Sequence, residues 1–172
     1  MIINKNSIYH SKIKINFDER GYFFESFRKN KFKDIDFVQD NISYSKKGTL
    51  RGMHYQYKFP QSKLITILHG EIYDVIIDLR NHSKNFLKIY SYTLSPKSNN
   101  QLYIPRGFAH GFQCISENST IYYKTDNYYQ HEDQYGIDPL DLDLKIEWPL
   151  SNKIINNKDS QLPKLSDIKN FF

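Results

Sequence analysis

Two histidines stand in stretches built for β-strands. His54 lies in LRGMHYQ (50–56) and His110 in GFAHGFQC (107–114). A strand histidine can be a packed core residue, a metal ligand or a base. The metal reading fails on spacing, because β-rich metal sites draw on three or four ligands, often a His-x-His pair. Here the residues two beyond each histidine are Gln56 and Phe112, and no nearby carboxylate completes a site. Arg51 adds a guanidinium, whose forked donors bind phosphate in a geometry lysine cannot copy. Strict alternation sends Arg51 and His54 to opposite faces, and a bulge at Gly52 would bring both to one cavity. In GFAHGFQC the same period places Phe108, His110, Phe112 and Cys114 on one face, so His110 points inward. It is either a satisfied interior histidine or a pocket residue, and Gly107 and Gly111 leave room for a ligand near the backbone.

The elements that must position these residues are strands. KLITILHGEIYDVIIDLR (63–80) reads as two β-branched runs joined at His69-Gly70, which predicts a tight hairpin. Its second arm alternates Tyr73, Val75, Ile77 and Leu79 with Ile72, Asp74, Ile76 and Asp78, and the two acids predict a face lining something wet. NFLKIYSYTLS, QLYIPRGFAHGFQCIS and STIYYKTDNYY supply further strands, with a turn at Pro105-Arg106-Gly107. Only RKNKFKDI and the tail after Trp148 have helical character, and both are short. Many short strands with turn residues between them predict an all-β fold, a sandwich or small barrel with short peripheral helices.

The 172 residues suit one domain, 1–172, with the tail from about 150 packed on it. Hydrophobic residues make up only 39%, but aromatics reach 16%, including 14 tyrosines that can line a polar pocket as well as a core. The net charge is +5. Its lysines are dispersed, with no run of five basic residues and no nucleic-acid signature, so the sequence predicts no nucleic-acid partner. A small anionic substrate accounts for the charge equally well. A single cysteine, Cys114, rules out an internal disulfide framework and a cysteine-rich metal site. No signal-like or membrane-spanning stretch is found, and the expected location is the cytoplasm.

Six segments occur in order: DERGYFFESF (18–27), FVQDNISYSKKGTLRGMHYQ (37–56), SKLITILHGEIYDVIIDLR (62–80), LYIPRGFAHGFQCIS (102–116), YYKTDNYY (122–129) and IEWP (146–149). Together they resemble the dTDP-4-dehydrorhamnose 3,5-epimerase family, from about residue 13 to residue 160. The resemblance implies a cupin-type jelly roll and a homodimer that exchanges N-terminal strands. It also implies an isomerase acting on a nucleoside-diphosphate 4-keto-6-deoxy sugar, with no metal or redox cofactor, in the synthesis of a surface polysaccharide. The C4 ketone acidifies the hydrogens at C3 and C5, and inversion needs a base on one face of the ring and an acid on the other.

By position, His54 matches the family's base and Asp159 the carboxylate that orients it. Tyr123 matches the acid, and the family register selects it over Tyr122. Lys63 and His110 match groups that hold the C4 oxygen and sugar hydroxyls. Arg51, Gln39, Asn41, Tyr129 and Lys158 match substrate contacts, and Arg20 and Glu25 match contacts supplied by the partner subunit. Two departures stand out: Gln134 replaces an acidic contact, and Pro139-Leu140 replaces a stretch where Trp and Asn are frequent. They leave open dTDP or GDP as the nucleotide and a hexose or a 6-deoxyheptose as the sugar, while inversion at C3 and C5 or at only one is open because relatives with the same His/Tyr pair do either. The rival readings are a sugar-nucleotide 3,4-ketoisomerase and a non-catalytic binding module.

Overall fold

The computed structural model describes residues 2–98 and 100–172. Near the N-terminus lie three short strands, β1 (Tyr9–Ser11), β2 (Asn16–Asp18) and β3 (Gly21–Phe23). The longer strands that follow are β4 (Gln39–Lys46), β5 (Leu50–Gln56), β6 (Lys63–His69), β7 (Ile72–Asp78) and β8 (Ile89–Leu94). Next come β9 (Gln101–Ile104), β10 (Phe108–Cys114), β11 (Asn118–Thr125) and β12 (Gln134–Gly136). Two five-stranded antiparallel sheets result, ordered β1-β9-β6-β11-β4 and β12-β5-β10-β7-β8, while β2 and β3 form a separate hairpin. Sheet facing sheet with this order is the cupin-type jelly roll.

Three apolar layers explain the strand sequences. Between the sheets lie Ile65, Ile67, Leu102, Ile104 and Ile121 from one side and Ile72, Ile76, Leu94, Phe108 and Phe112 from the other. The outer face of the second sheet buries Met53, Tyr55, Val75, Ile77 and Leu79 beneath the C-terminal segment, including Trp148, Ile168 and Phe172. On the outer face of the first sheet, Leu64 and Tyr103 meet Ile3, Phe32 and Ile35 of the N-terminal region. Strands buried on both faces read as near-continuous apolar runs, which is why β7 carries isoleucine or valine at four of its positions.

Several expectations need correction. The segment 63–80 is not a hairpin, because β6 pairs with β9 and β11 whereas β7 pairs with β8 and β10. Gly70, at φ +75°, turns the chain from one sheet into the other. The face carrying Asp74 and Asp78 is not wet; both acids are fully buried. Each is there because a basic side chain meets it: His110 for Asp74, and Arg80, through two bonds at 2.8 Å, for Asp78. The helical segments shrink to single 3₁₀ turns at Lys29–Lys31, Asp159–Gln161 and Leu165–Asp167. Three residues cannot nucleate an α-helix, and the chain is extended at Arg28, Leu162, Lys164 and Ile168 beside these turns. Of the two glycines expected to leave room for a ligand, Gly111 lines the cavity between the sheets, whereas Gly107 does not and packs against the Arg80 side chain.

Candidate active site

β5 and β10 cross at a bulge. His54 faces His110 and Arg51 faces Phe112, so two residues on β5 span the single residue Gly111 on β10. Gly52 supplies the extra residue at φ +112°, where a Cβ would stand 2.5 Å from the Gly111 Cα. No other residue type fits that approach without moving a strand. The bulge resets the alternation, and Arg51 and His54 therefore both reach the cavity between the sheets.

That cavity holds about 360 Å³, within the range that takes a small ligand. The second sheet contributes Arg51, His54 and His110; the first contributes Gln39, Asn41, Lys63 and Tyr123. Tyr129 stands at the mouth, and Asp159 enters from the C-terminal segment. Sequence reading missed Ser43, Gln61 and Thr125, which carry no signal beyond lying on or beside the same strands, and Asn156, which lies in the C-terminal segment with Asp159. Gln134 also lines the cavity. Lys158 does not, because the turn that aims Asp159 inward leaves its neighbour exposed. Arg20, on the β2–β3 turn, is bound to Asp18, and Glu25 is bound to Arg28; neither reaches the cavity of its own chain.

The His54 Nε2–H donates to Asp159 Oδ1 at 2.8 Å. The second oxygen of Asp159 accepts the Gly52 N–H at 3.1 Å, and its own N–H donates to Asn156 Oδ1 at 2.7 Å. Two backbone bonds, Leu50 N–H to the Ile154 carbonyl and Ile154 N–H to the Gly48 carbonyl, strap this segment onto β5. Burial alone would raise the Asp159 carboxyl, but the His54 bond and charge, with Gly52 and Arg51, hold it below its ordinary range. Asp159 is therefore a carboxylate at neutral pH, with Nε2 of His54 held as donor and Nδ1 left as the basic nitrogen.

His110 repeats the arrangement, its Nε2 lying 2.8 Å from Asp74 Oδ2. Burial pushes this imidazole below its ordinary value, against the pull of Asp74. Lys63 falls to about 8 through burial, with Asp74 drawing it upward, so it remains an ammonium at pH 7. Tyr123, opposite Asn41 and Ile65 in the ladder, turns inward, and burial raises its phenol so that it keeps its proton. Tyr122 turns outward and donates to Asp40 at 3.0 Å. Among the described residues, no three His, Cys, Asp or Glu side chains are placed to hold a metal ion.

The cavity between the two cupin sheets thus carries a histidine on one wall and a phenol on the other. The model of the dTDP-4-dehydrorhamnose 3,5-epimerase family matches residues 5–167, and the chain belongs to that family. A relative from Shigella flexneri, named dTDP-4-dehydrorhamnose 3,5-epimerase, is 42% identical over 160 residues, covering 90% of this chain and 88% of its own. The crystal structure of a dTDP-6-deoxy-D-glucose-3,5-epimerase from Legionella pneumophila, in complex with dTDP-4-keto-L-rhamnose, superposes with a TM-score of 0.90 at 38% identity. That match covers 95% of this chain and 93% of the other. A 3'-monoepimerase from Streptomyces bikiniensis, in complex with dTDP-quinovose, gives 0.86 at 26% identity, covering 96% and 87%. The chain is a carbohydrate epimerase. No helix is long and apolar enough to cross a membrane among the described residues.

Proposed function

We propose that this enzyme inverts C5 and C3 of a dTDP-linked 4-keto-6-deoxyglucose, providing a deoxysugar for a surface polysaccharide. The observation that carries the reading is the placement of His54 and Tyr123 on opposite sheets of one cavity. Nδ1 of His54 takes the proton from the carbon beside the ketone, and the electron pair moves into the C4 oxygen as an enolate. The Asp159 carboxylate stabilises the imidazolium, and the Lys63 ammonium stabilises the enolate oxygen. Tyr123 then delivers its proton to the same carbon from the other face, and the resulting phenolate and imidazolium are reset through solvent. Arg51 suits the diphosphate by its fork geometry, and the exposed ring of Tyr129 offers a flat surface to the base. Relatives crystallised with dTDP-linked ligands favour that nucleotide over GDP.

The same reading makes the protein a homodimer. Arg20 and Glu25 ride on or beside a hairpin whose Phe17, Tyr22 and Phe23 are exposed, and β4, an edge strand, exposes Ile42 and Tyr44. Exchange of that arm would cover both apolar surfaces and bring two charged side chains to the neighbouring cavity. Light scattering should give twice the chain mass, and Phe17→Asp with Phe23→Asp should give monomers.

Incubation with dTDP- and GDP-linked 4-keto-6-deoxy sugars in D₂O, followed by NMR, tests the reaction. Deuterium at C3 and C5 of the dTDP sugar is expected. A 3-keto product would establish ketoisomerisation instead, and no exchange at any carbon would leave only a binding protein. Tyr123→Phe should still permit exchange while inversion falls by roughly 10²–10⁴-fold.

A further inference from the structure

One side chain of the LRGMHYQ strand does not line the cavity but bonds the loop at its mouth. Gln56 follows His54 by two positions, on the same face of β5, and is buried beneath the loop that leaves β11. Its Nε2 donates to the Phe59 carbonyl at 2.7 Å and to the Tyr128 carbonyl at 3.2 Å. Its Oε1 accepts the Gln130 N–H at 2.7 Å. Two carbonyls and one N–H admit only this orientation of the amide. The turn before Phe59 is itself fixed, since Asp133 accepts the N–H groups of Lys58 and Phe59 at 3.0 and 2.7 Å.

The residue between the two clamped peptides is Tyr129. Its N–H donates to Gln39 Oε1 at 2.9 Å, and Gln39 in turn donates to Asn41 Oδ1 at 2.9 Å inside the cavity. Tyr129 thus hangs between two glutamines, one behind the loop and one in the cavity. Tyr129 is nearly half exposed, and no aromatic ring among the described residues packs against it. The geometry points to Gln56 as a positioning residue that acts through Tyr129 on substrate binding and leaves the acid–base step alone. The inference rests on the proposed role of Tyr129 at the substrate.

The test is a double-mutant cycle on the full chain, with KM and kcat measured per folded protein for the dTDP-linked 4-keto sugar. Gln56→Met keeps the volume and removes all three bonds; it should raise KM about 10-fold or more while kcat changes less than about threefold. The Tyr129→Ala variant should raise KM similarly, and the double variant should be no worse than Tyr129→Ala alone, since residues acting through one another are not additive. Should Gln56→Met fold poorly, Gln56→Asn keeps an amide that is one methylene too short to make all three bonds, and should raise KM by a smaller factor. A lower melting temperature with unchanged KM would reduce Gln56 to a structural bond. Multiplicative effects in the double variant, or a fall in kcat matching the rise in KM, would likewise overturn the inference while sparing the role of Tyr129. An unaltered KM in Tyr129→Ala would remove both.

Discussion

The molecule contains the same pair twice. His54–Asp159 and His110–Asp74 each join Nε2 to a buried carboxylate at 2.8 Å, and the two histidines face one another across β5 and β10. In neither ring does Nδ1 have a protein partner among the described residues. The surroundings differ. The side chain of His54 is 29% exposed and that of His110 only 11%. Asp159 uses both oxygens, whereas Asp74 Oδ1 has no partner among the described residues. Burial keeps His110 neutral, which suits a hydrogen-bond acceptor for a hydroxyl. His54 is nearer to solvent and backed by a fully bonded carboxylate, which suits the role of base in the proposed mechanism. On the proposed mechanism a histidine–aspartate pair is not a catalytic unit by itself; access and the state of the carboxylate decide its use.

The largest separation between the pairs should appear in isotope exchange. His54→Asn should abolish deuterium uptake at C3 and C5, a loss of about 10³-fold or more, whereas His110→Asn should raise KM roughly 10-fold and leave exchange detectable. Equal losses would mean that both imidazoles move protons. Exchange surviving only in the His54 variant would invert the assignment.

The carboxylates give a second, smaller contrast. In Asp159→Asn, one amide group must confront either the His54 Nε2–H or the Gly52 N–H, because both oxygens accept. The imidazole is driven to the wrong tautomer, and kcat should fall by roughly 10²–10⁴-fold. In Asp74→Asn the amide oxygen can keep the bond to His110 while the NH₂ takes the unpartnered position. Its effect should stay within about 10-fold and lie mainly in KM. Steady-state kinetics on both variants would settle the point, and a collapse of kcat in Asp74→Asn would show that the unpartnered oxygen serves the reaction.

What could be read from sequence follows the distance over which each residue acts. Alternation within one strand placed Phe108, His110 and Phe112 inward, and the chemistry of Gly52 suggested the bulge that the register contains. Strand partners did not follow from adjacency. The run through His69-Gly70 looks like a hairpin because a turn between sheets and a turn within one use the same residues. Asp74 and Asp78 looked solvated because the side chains that neutralise them come from elsewhere: His110, 36 residues away on β10, and Arg80, beyond the strand's end. Asp159 lies 105 residues from His54, in a tail whose composition marks nothing, and only family resemblance located it. Gln56 and Asp133 act on backbone groups of other loops, and no pattern of side-chain types reports such bonds.

The smallest effect distinguishes the pairs by stability. The depressed His110 pKa means that the unfolded chain binds the extra proton first, so stability present above about pH 6.5 is lost as pH falls through the lower, folded value. Asp159, also depressed, loses its contribution only below the ordinary carboxylate range. Between pH 7 and 5 the slope should therefore belong to His110 and not to the Asp159 carboxyl. Lys63, at about 8, adds a slope of the same sign, but only above neutrality, where the folded chain sheds the proton that the unfolded chain keeps to about 10.5. Thermal melts of wild type and His110→Gln across pH 5–7 should show the variant flatter by a few degrees, each kcal/mol being worth about 2–4 °C in a chain of this size. Parallel curves would mean that His110 titrates alike in the folded and unfolded chains, and a wild-type slope of the opposite sign would mean that it is already charged at pH 7. Either result would remove the depressed His110 imidazole as a difference, leaving ring exposure and the bonding of the carboxylates to set the pairs apart.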